Sequence, residues 1–228
     1  MQLTNRFQIK SDHRIIDFLN SQPVGRICSI DIDGFPQVIP MNFVCVRTRV
    51  GLKTSKYSTP INSAAIYMHS HPFGEKIENI KRNSKVGFEV DQHICFLPSY
   101  YFHPTDASQA DTLYISIVIK GIAFIIENFI EKAFALNRLM DKYQTEGFYE
   151  PLNPSMRSVH AVSVIKVIPQ DIRGKYKIGQ HWTPSYRLKM AEKIIKREGI
   201  VNSKQILSIM GLEMDRAGKL YVKREPVM

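Results

Sequence analysis

His69, Ser70 and His71 are followed at short spacing by Gly74 and Lys76, in the stretch Tyr67-Met-His-Ser-His-Pro-Phe-Gly-Glu-Lys-Ile77. The stretch begins as an apolar strand, turns through His69 to Pro72, and opens a helix that runs from Phe73 to about Arg82. A helix start leaves backbone N–H groups unpaired and carries the positive end of the helix dipole, which together seat a phosphate. Gly74 lets a ligand approach the backbone, and Lys76 adds a cation one turn in, although a solvated helix lysine is the plainer reading. The two histidines form an isolated H-x-H pair at a strand end with no metal-ligating cluster around it, so no metal site is expected. No nucleophile–base pair is visible either, so hydrolase chemistry has no support.

The elements around this stretch must hold it in place. Ser11 to Asn20 reads as a short helix capped by Ser11 or Asp12. Val24 to Ile32 and Gln37 to Val46 read as a hairpin across the Asp33-Gly34 turn. Pro40 cannot donate to a ladder, so it belongs at an edge or a bulge. Either it marks an ordinary bulge, or a flat ligand packs beside Pro40, Met41 and Asn42. Arg47 to Ser63 is polar and irregular. Ala64 to His69, Lys85 to Phe96, Asp111 to Glu127 and Val159 to Ile168 are further strands, and Leu97 to Ala110 is a loop. Gly121, inside the third of these strands, predicts a bulge or a tight barrel bend. Asn128 caps a helix to about Tyr143. Strands joined mostly by hairpins, without βα alternation, predict a mainly β protein, an antiparallel barrel with crossover helices, and exclude a Rossmann sheet.

The C-terminal segment differs. Ser185 to Glu198 reads as helix, Gly199 breaks it, and Asn202 or Ser203 caps a second helix to Met210, with Lys219 to Lys223 as a last strand. The boundary is expected near residue 180, giving a barrel domain over 1–180 and a basic, mostly helical extension over 181–228. The chain has 228 residues and a net charge of +10. From Asp171 onward there are 13 Lys/Arg against 6 Asp/Glu, a net of +7, so the end of the chain carries most of the excess. Two basic helices about a turn apart suit a helix-turn-helix on nucleic acid, or a pair packed on the barrel.

The hydrophobic fraction of 44% and charged fraction of 23% are those of an ordinary globular protein. No apolar run approaches the ~20 residues of a membrane span. Met1-Gln-Leu-Thr-Asn-Arg has no signal-peptide core, and Cys28, Cys45 and Cys95 are widely spaced. A cytoplasmic protein with reduced thiols is therefore expected.

Val24-Gly-Arg-Ile-Cys-Ser-Ile-Asp-x-Asp-Gly-x-Pro-x-Val-Ile-Pro-Met-Asn-Phe-Val, Ile66-Tyr-Met-His-Ser-His-x-x-Gly-Glu-Lys and Asn83-x-x-Val-x-Phe-Glu-Val together resemble the pyridoxamine 5′-phosphate oxidase-like FMN-binding split-barrel superfamily. Within it they are most similar to the nitroimidazole-resistance flavoproteins. The likeness covers about residues 11 to 180. It implies an antiparallel split barrel and a homodimer with FMN at the subunit interface. The flavin ring would lie along Val38, Ile39, Pro40, Met41 and Asn42. His69, Ser70 and His71 would meet the ring or ribityl chain, and Lys76 would reach the phosphate. Trp182 would either cover the flavin or anchor local packing.

The pattern departs from the true oxidases. Gln37 and Asn42 stand where they have basic residues, and Gly74-Glu75-Lys76 stands where they have Ser-Arg-Lys, so pyridoxamine phosphate is not the expected substrate. The implied activity is oxidoreduction, from NAD(P)H to a small acceptor such as a nitro compound, a flavin or a quinone. The alternatives are an FMN-binding sensor or transcriptional regulator acting through the basic helices, a barrel holding F420 or haem instead, and a dimeric scaffold without cofactor.

Overall fold

The computed structural model describes residues 4–47 and 64–226. From residue 48 on, the expected polar loop up to Ser63 lies outside the described residues. The chain divides into two compact units, one of Lys10–Val90 and Ile117–Arg173, the other of 4–9, Asp91–Ser116 and 174–226.

In chain order the first elements are α1 (Asp12–Ser21), β1 (Gly25–Ile30), β2 (Pro36–Met41), β3 (Val44–Arg47), β4 (Ala64–Ser70), α2 (Glu75–Arg82) and β5 (Lys85–Leu97). Then come β6 (Asp111–Ile126), α3 (Phe129–Tyr143), α4 (Arg157–His160), β7 (Ser163–Lys177), α5 (Pro184–Glu198), α6 (Ile200–Ile209), β8 (Leu212–Met214) and β9 (Leu220–Val222). Two short 3-10 turns lie between β5 and β6. Strands β1 to β7 form a seven-stranded sheet in the order β2-β1-β5-β6-β7-β4-β3. The pairs β1–β2, β1–β5, β3–β4 and β4–β7 are antiparallel.

The hairpin forms where the Asp33-Gly34 pair predicts it. The Asp31 carboxylate accepts from the N–H groups of Asp33 (2.9 Å) and Phe35 (2.7 Å), closing an Asx turn. The returning strand, however, is not continuous to Val46. It breaks after Met41, and the chain resumes as β3 at the opposite edge of the sheet. Three residue steps span at most about 10 Å, so the two edges approach that closely at Asn42-Phe43. The sheet is therefore curled into an antiparallel split barrel, open between β2 and β3.

The crossing is held from α3. The Phe43 N–H donates to the Tyr143 hydroxyl (2.9 Å), which donates to the Pro23 carbonyl (2.6 Å). The Lys142 ammonium donates to the Phe43 carbonyl (2.8 Å) and lies 3.8 Å from the centre of the Phe43 ring. Burial brings the pKa of Lys142 down to about 8. Tyr143→Phe leaves a buried N–H unsatisfied and should cost about 1–3 kcal/mol, read from the shift in urea midpoint.

Other local expectations fare variously. Ser11 caps α1 by accepting from the Arg14 N–H, and Asn128 caps α3 by accepting from the Ile130 and Glu131 N–H groups. At Gly121 a Cβ would stand 2.6 Å from Val167 Cγ1 and 2.9 Å from the Ile168 carbonyl, so two strands meet too closely for any side chain. The strand expected at Val159 starts later, at Ser163, and runs to Lys177, because residues 157–160 wind into α4 beside α3. The second tail helix starts at Ile200, not after Asn202 or Ser203. Both of these side chains bond backward to the helix junction instead, Asn202 to the Glu198 carbonyl and Ser203 to the Gly199 carbonyl.

In the first unit α3 packs Ala133, Ala135, Leu136 and Leu139 against Val44, Ala65, Tyr67 and Val164. Each fully buried aliphatic side chain there contributes about 1.5–3 kcal/mol. In the second unit Cys95, Leu97, Tyr101 and Leu113 form one core with Met190, Ile194, Leu207 and Met210.

Candidate functional site

Strand β4 runs between β3 and β7 and buries five residues in succession, Ala64 to Met68. A strand covered on both faces needs such a continuous apolar run. Exposure begins at His69, opposite Val164, and the chain turns. His71 Nδ1 accepts from the Phe73 N–H (3.2 Å), and Ser70 Oγ donates to the His71 carbonyl (2.9 Å). The turn is thus built by the two residue types, Ser and His, that the sequence places there.

Gly74 then opens α2 with φ 135° and ψ 161°, a conformation that L side chains rarely adopt. Nothing lies within 4 Å of the position a Cβ would take, so the helix start has open space beside it. The Gly74 carbonyl accepts from Ile77 (2.9 Å) and Glu78 (3.3 Å), and no side chain caps the helix. Among the described residues no acceptor meets the N–H groups of Glu75 and Lys76. The result is a helix terminus with free donors, an open approach and a half-buried Lys76. The neighbouring Glu78 is engaged by Lys81 (3.0 Å), while Glu75 is exposed. Partial burial and then the Lys76 ammonium hold the His69 imidazole below its ordinary pKa, so it is neutral at neutral pH.

Helix α2 is bolted to the hairpin through Asn79, which is 2% exposed. Its Nδ2 donates to Ser29 Oγ (3.4 Å) and to Gln37 Oε1 (3.3 Å), and its Oδ1 accepts from Arg82, which also donates to the Ile30 carbonyl (2.8 Å). The Gln37 Oε1 thereby helps to position the helix against the hairpin. Asn79 escapes the motif reading, although an Asn inside a helix is itself a signal, since it disfavours that position unless it bonds elsewhere.

Strand β2, an edge of the sheet, carries most of the expected ring-binding residues. Val38 and Pro40 are exposed, Ile39 and Met41 half-buried, and Asn42 stands in the crossing beyond the strand. Val38 is 56% exposed, Phe35 68% and Phe73 76%. An edge with uncovered apolar side chains and a proline is a surface awaiting a cover. His69, Ser70, His71 and Lys76 are brought together where β4 turns into α2, and the Asn79–Gln37 bond ties that helix to β2. Trp182 belongs to the second unit, where it packs edge-on to Tyr186 (5.5 Å between centroids) and over Gly179.

A separate cleft of about 650 Å³ lies between α1, β3 and α3, with Asn20, Cys45, Arg138 and Lys142 in its wall. Its polar groups are engaged: Asn20 exchanges two hydrogen bonds with the Cys45 backbone, and Lys142 donates to Phe43. Burial pushes the Cys45 thiol up to about 12. Among the described residues no group of three or more His, Cys, Asp or Glu is placed to hold a metal ion. None of their helices is long and apolar enough to cross a membrane.

The sequence model of the family described as pyridoxamine 5′-phosphate oxidase matches residues 11–176. No curated protein matches the chain. A solved structure described as a 5-nitroimidazole antibiotic resistance protein, from Bacteroides thetaiotaomicron, is 26% identical, covering 74% of this chain and 85% of that one with a TM-score of 0.55. A flavocytochrome from Azotobacter vinelandii is 15% identical over 78% of this chain and 72% of its own, with a TM-score of 0.58. An FAD- and haem-binding protein from Mycobacterium smegmatis is 16% identical over 75% and 73%, with a TM-score of 0.53. The last two share the fold.

Proposed function

Because the chain belongs to the pyridoxamine 5′-phosphate oxidase family, we propose that it is an FMN-binding oxidoreductase of the cytoplasm, passing electrons from NAD(P)H to a small acceptor such as a nitro compound, a flavin or a quinone. The observation that carries this reading is the start of α2. Two free N–H groups, Lys76 and an open face at Gly74 fit a phosphate dianion. A monophosphate suits this set, since Lys76 is the one cation in the first helical turn. The 26% identity to the nitroimidazole resistance protein supports the choice of acceptor class.

Bound flavin supplies the two-electron chemistry, and the protein supplies position and electrostatics. Lys76 and the Glu75 and Lys76 N–H groups hold the phosphate. The Asn79–Gln37 bond fixes that seat against β2. Val38 and Pro40, exposed on one face of β2, offer an apolar wall that excludes water from one side of a flat ring. His69, neutral beside Lys76, presents a ring nitrogen without adding charge. The uncovered apolar groups of β2 and of the 71–74 turn suit burial against a second copy of the chain, giving a homodimer with the flavin at its interface.

The test is spectroscopic. The purified protein should show flavin absorption bands with FMN. Anaerobic NADPH or NADH should bleach them, and a nitroaromatic compound should restore them. A colourless protein that ignores FMN would sink the reading, and bound flavin that neither nicotinamide reduces would sink the enzymatic half of it.

A further inference from the structure

The second unit ends in a helix–helix–hairpin with several basic side chains in solvent. Helix α5 is capped by Thr183, which accepts from the Tyr186 N–H, and α6 follows after the single residue Gly199. Ser203, Ile206 and Leu207 are buried, so α6 turns Val201, Asn202, Lys204, Gln205 and Ser208 to solvent. No acidic residue occurs anywhere in α6.

The hairpin β8–β9 is fastened to the end of that helix. The Gly211 carbonyl accepts from the Lys223 (2.9 Å) and Arg224 (3.1 Å) N–H groups, and the Arg224 side chain donates to the Ser208 carbonyl (3.2 Å). Arg187 binds both oxygens of Glu225 at 3.0 Å. At the hairpin tip the Asp215 carboxylate accepts from the Ala217 and Lys219 N–H groups, which leaves Arg216 and Lys219 in solvent.

The acids of this segment are mostly spent internally. Glu213 is engaged by Lys223 and Tyr221, Glu225 by Arg187, and Glu198 by Arg197. Lys189, Lys196, Lys204, Arg216 and Lys219 have no carboxylate in ion-pair reach among the described residues. A pre-positioned helix of 10 residues, about 15 Å long, can enter a major groove ~12 Å wide.

We propose that this module binds duplex DNA, with the Val201–Ser208 face of α6 in the major groove and Arg216 and Lys219 of the hairpin on the phosphate backbone. Asn and Gln are the side chains that read adenine edges, Lys reads guanine, and an apolar side chain meets the thymine methyl. A single strand would need an exposed stacking platform. The exposed aromatic of the hairpin, Tyr221, is tied through its hydroxyl to Glu213 (2.8 Å). A membrane surface would need a wide apolar face. On α6 only Ile200 and Val201 are exposed apolar residues.

The experiment is fluorescence anisotropy of a labelled random-sequence duplex titrated with the full-length protein, at about 50 and about 200 mM salt. The expected result is binding at low salt that weakens steeply as salt rises. Lys204→Glu should weaken it, and the pair Arg216→Glu with Lys219→Glu should weaken it and lower the salt slope by about one per phosphate contact removed. Lys85→Glu and Lys120→Glu, exposed in the first unit, should leave it unchanged. Retained circular dichroism shows that each variant folds. No binding at low salt overturns the proposal, as does equal loss in the first-unit variants. Tighter binding to single strands, or to vesicles of anionic lipid, overturns it in favour of those partners. None of these outcomes depends on whether flavin binds.

Discussion

Lys76→Glu is expected to raise the dissociation constant for FMN by about a hundredfold or more, while leaving riboflavin binding nearly unchanged. A hydrogen bond to a charged group contributes about 1.5–3 kcal/mol, and each 1.4 kcal/mol is a factor of ten. Removing the ammonium with Lys76→Ala should therefore cost about ten- to a hundredfold, and reversing its charge adds repulsion. Glu75 already stands exposed in the same turn. Besides Glu75 and the Lys81-paired Glu78, a third carboxylate in that turn would stand directly against a phosphate dianion. Riboflavin has no phosphate, so it separates the seat at α2 from the ring-binding surface of β2. The measurement is quenching of flavin fluorescence on titration with protein. Equal loss for both ligands would mean that Lys76 acts on the fold or on the ring, and no loss for FMN would place the phosphate elsewhere.

The pH dependence follows from the same groups. His69 is held below its ordinary pKa by burial and by Lys76, so it remains neutral to lower pH than a free imidazole. Its protonation on acidification would favour an anion. The loss of affinity below about pH 6 should therefore track protonation of the phosphate, whose second pKa is about 6. A gain in affinity across that range would contradict this assignment.

Glu225→Ala is expected to destabilise the second unit by about 3 kcal/mol, more than Arg187→Met does. The asymmetry comes from burial: the Arg187 side chain is 0% exposed and that of Glu225 66%. Removing the carboxylate leaves a guanidinium out of water with, among the described residues, the carbonyls of Met210 (3.2 Å) and Arg224 (3.4 Å) as its remaining partners. Its Nε already has no hydrogen-bond partner among the described residues. Arg187→Met removes the buried charge while keeping an unbranched apolar stem at the same buried position. The checks are the urea midpoint and hydrogen exchange of α5 and α6. A change below about 0.5 kcal/mol for Glu225→Ala would class the contact with ordinary surface ion pairs.

Residues that act on near neighbours are legible in the amino-acid order itself. Asp33-Gly34 makes its turn through Asp31, Asn128 caps its helix, and the His69–Lys76 stretch runs from strand through turn to helix where the residue types demand it. These outcomes depend on bonds a few residues long, and local propensity decides them. The site's chemical character, a helix terminus with glycine and lysine, belongs to the same class. Gly121 announces a close approach, though not that Val167 and Ile168 are what it meets.

Long-range pairing is not legible in that way. Gln37 to Val46 reads as one strand because alternation records which residues face inward, and says nothing of which strand lies alongside. Folding places Pro36–Met41 beside β1 and Val44–Arg47 beside β4, at opposite edges, and the break is stabilised by Lys142 and Tyr143, about a hundred residues away. The Asn79–Gln37 bond that fixes the site, and the burial of Arg187 against Glu225, arise in the same way. Each joins side chains that only the closed packing brings within 3.5 Å, and no periodicity in the chain encodes such a distance.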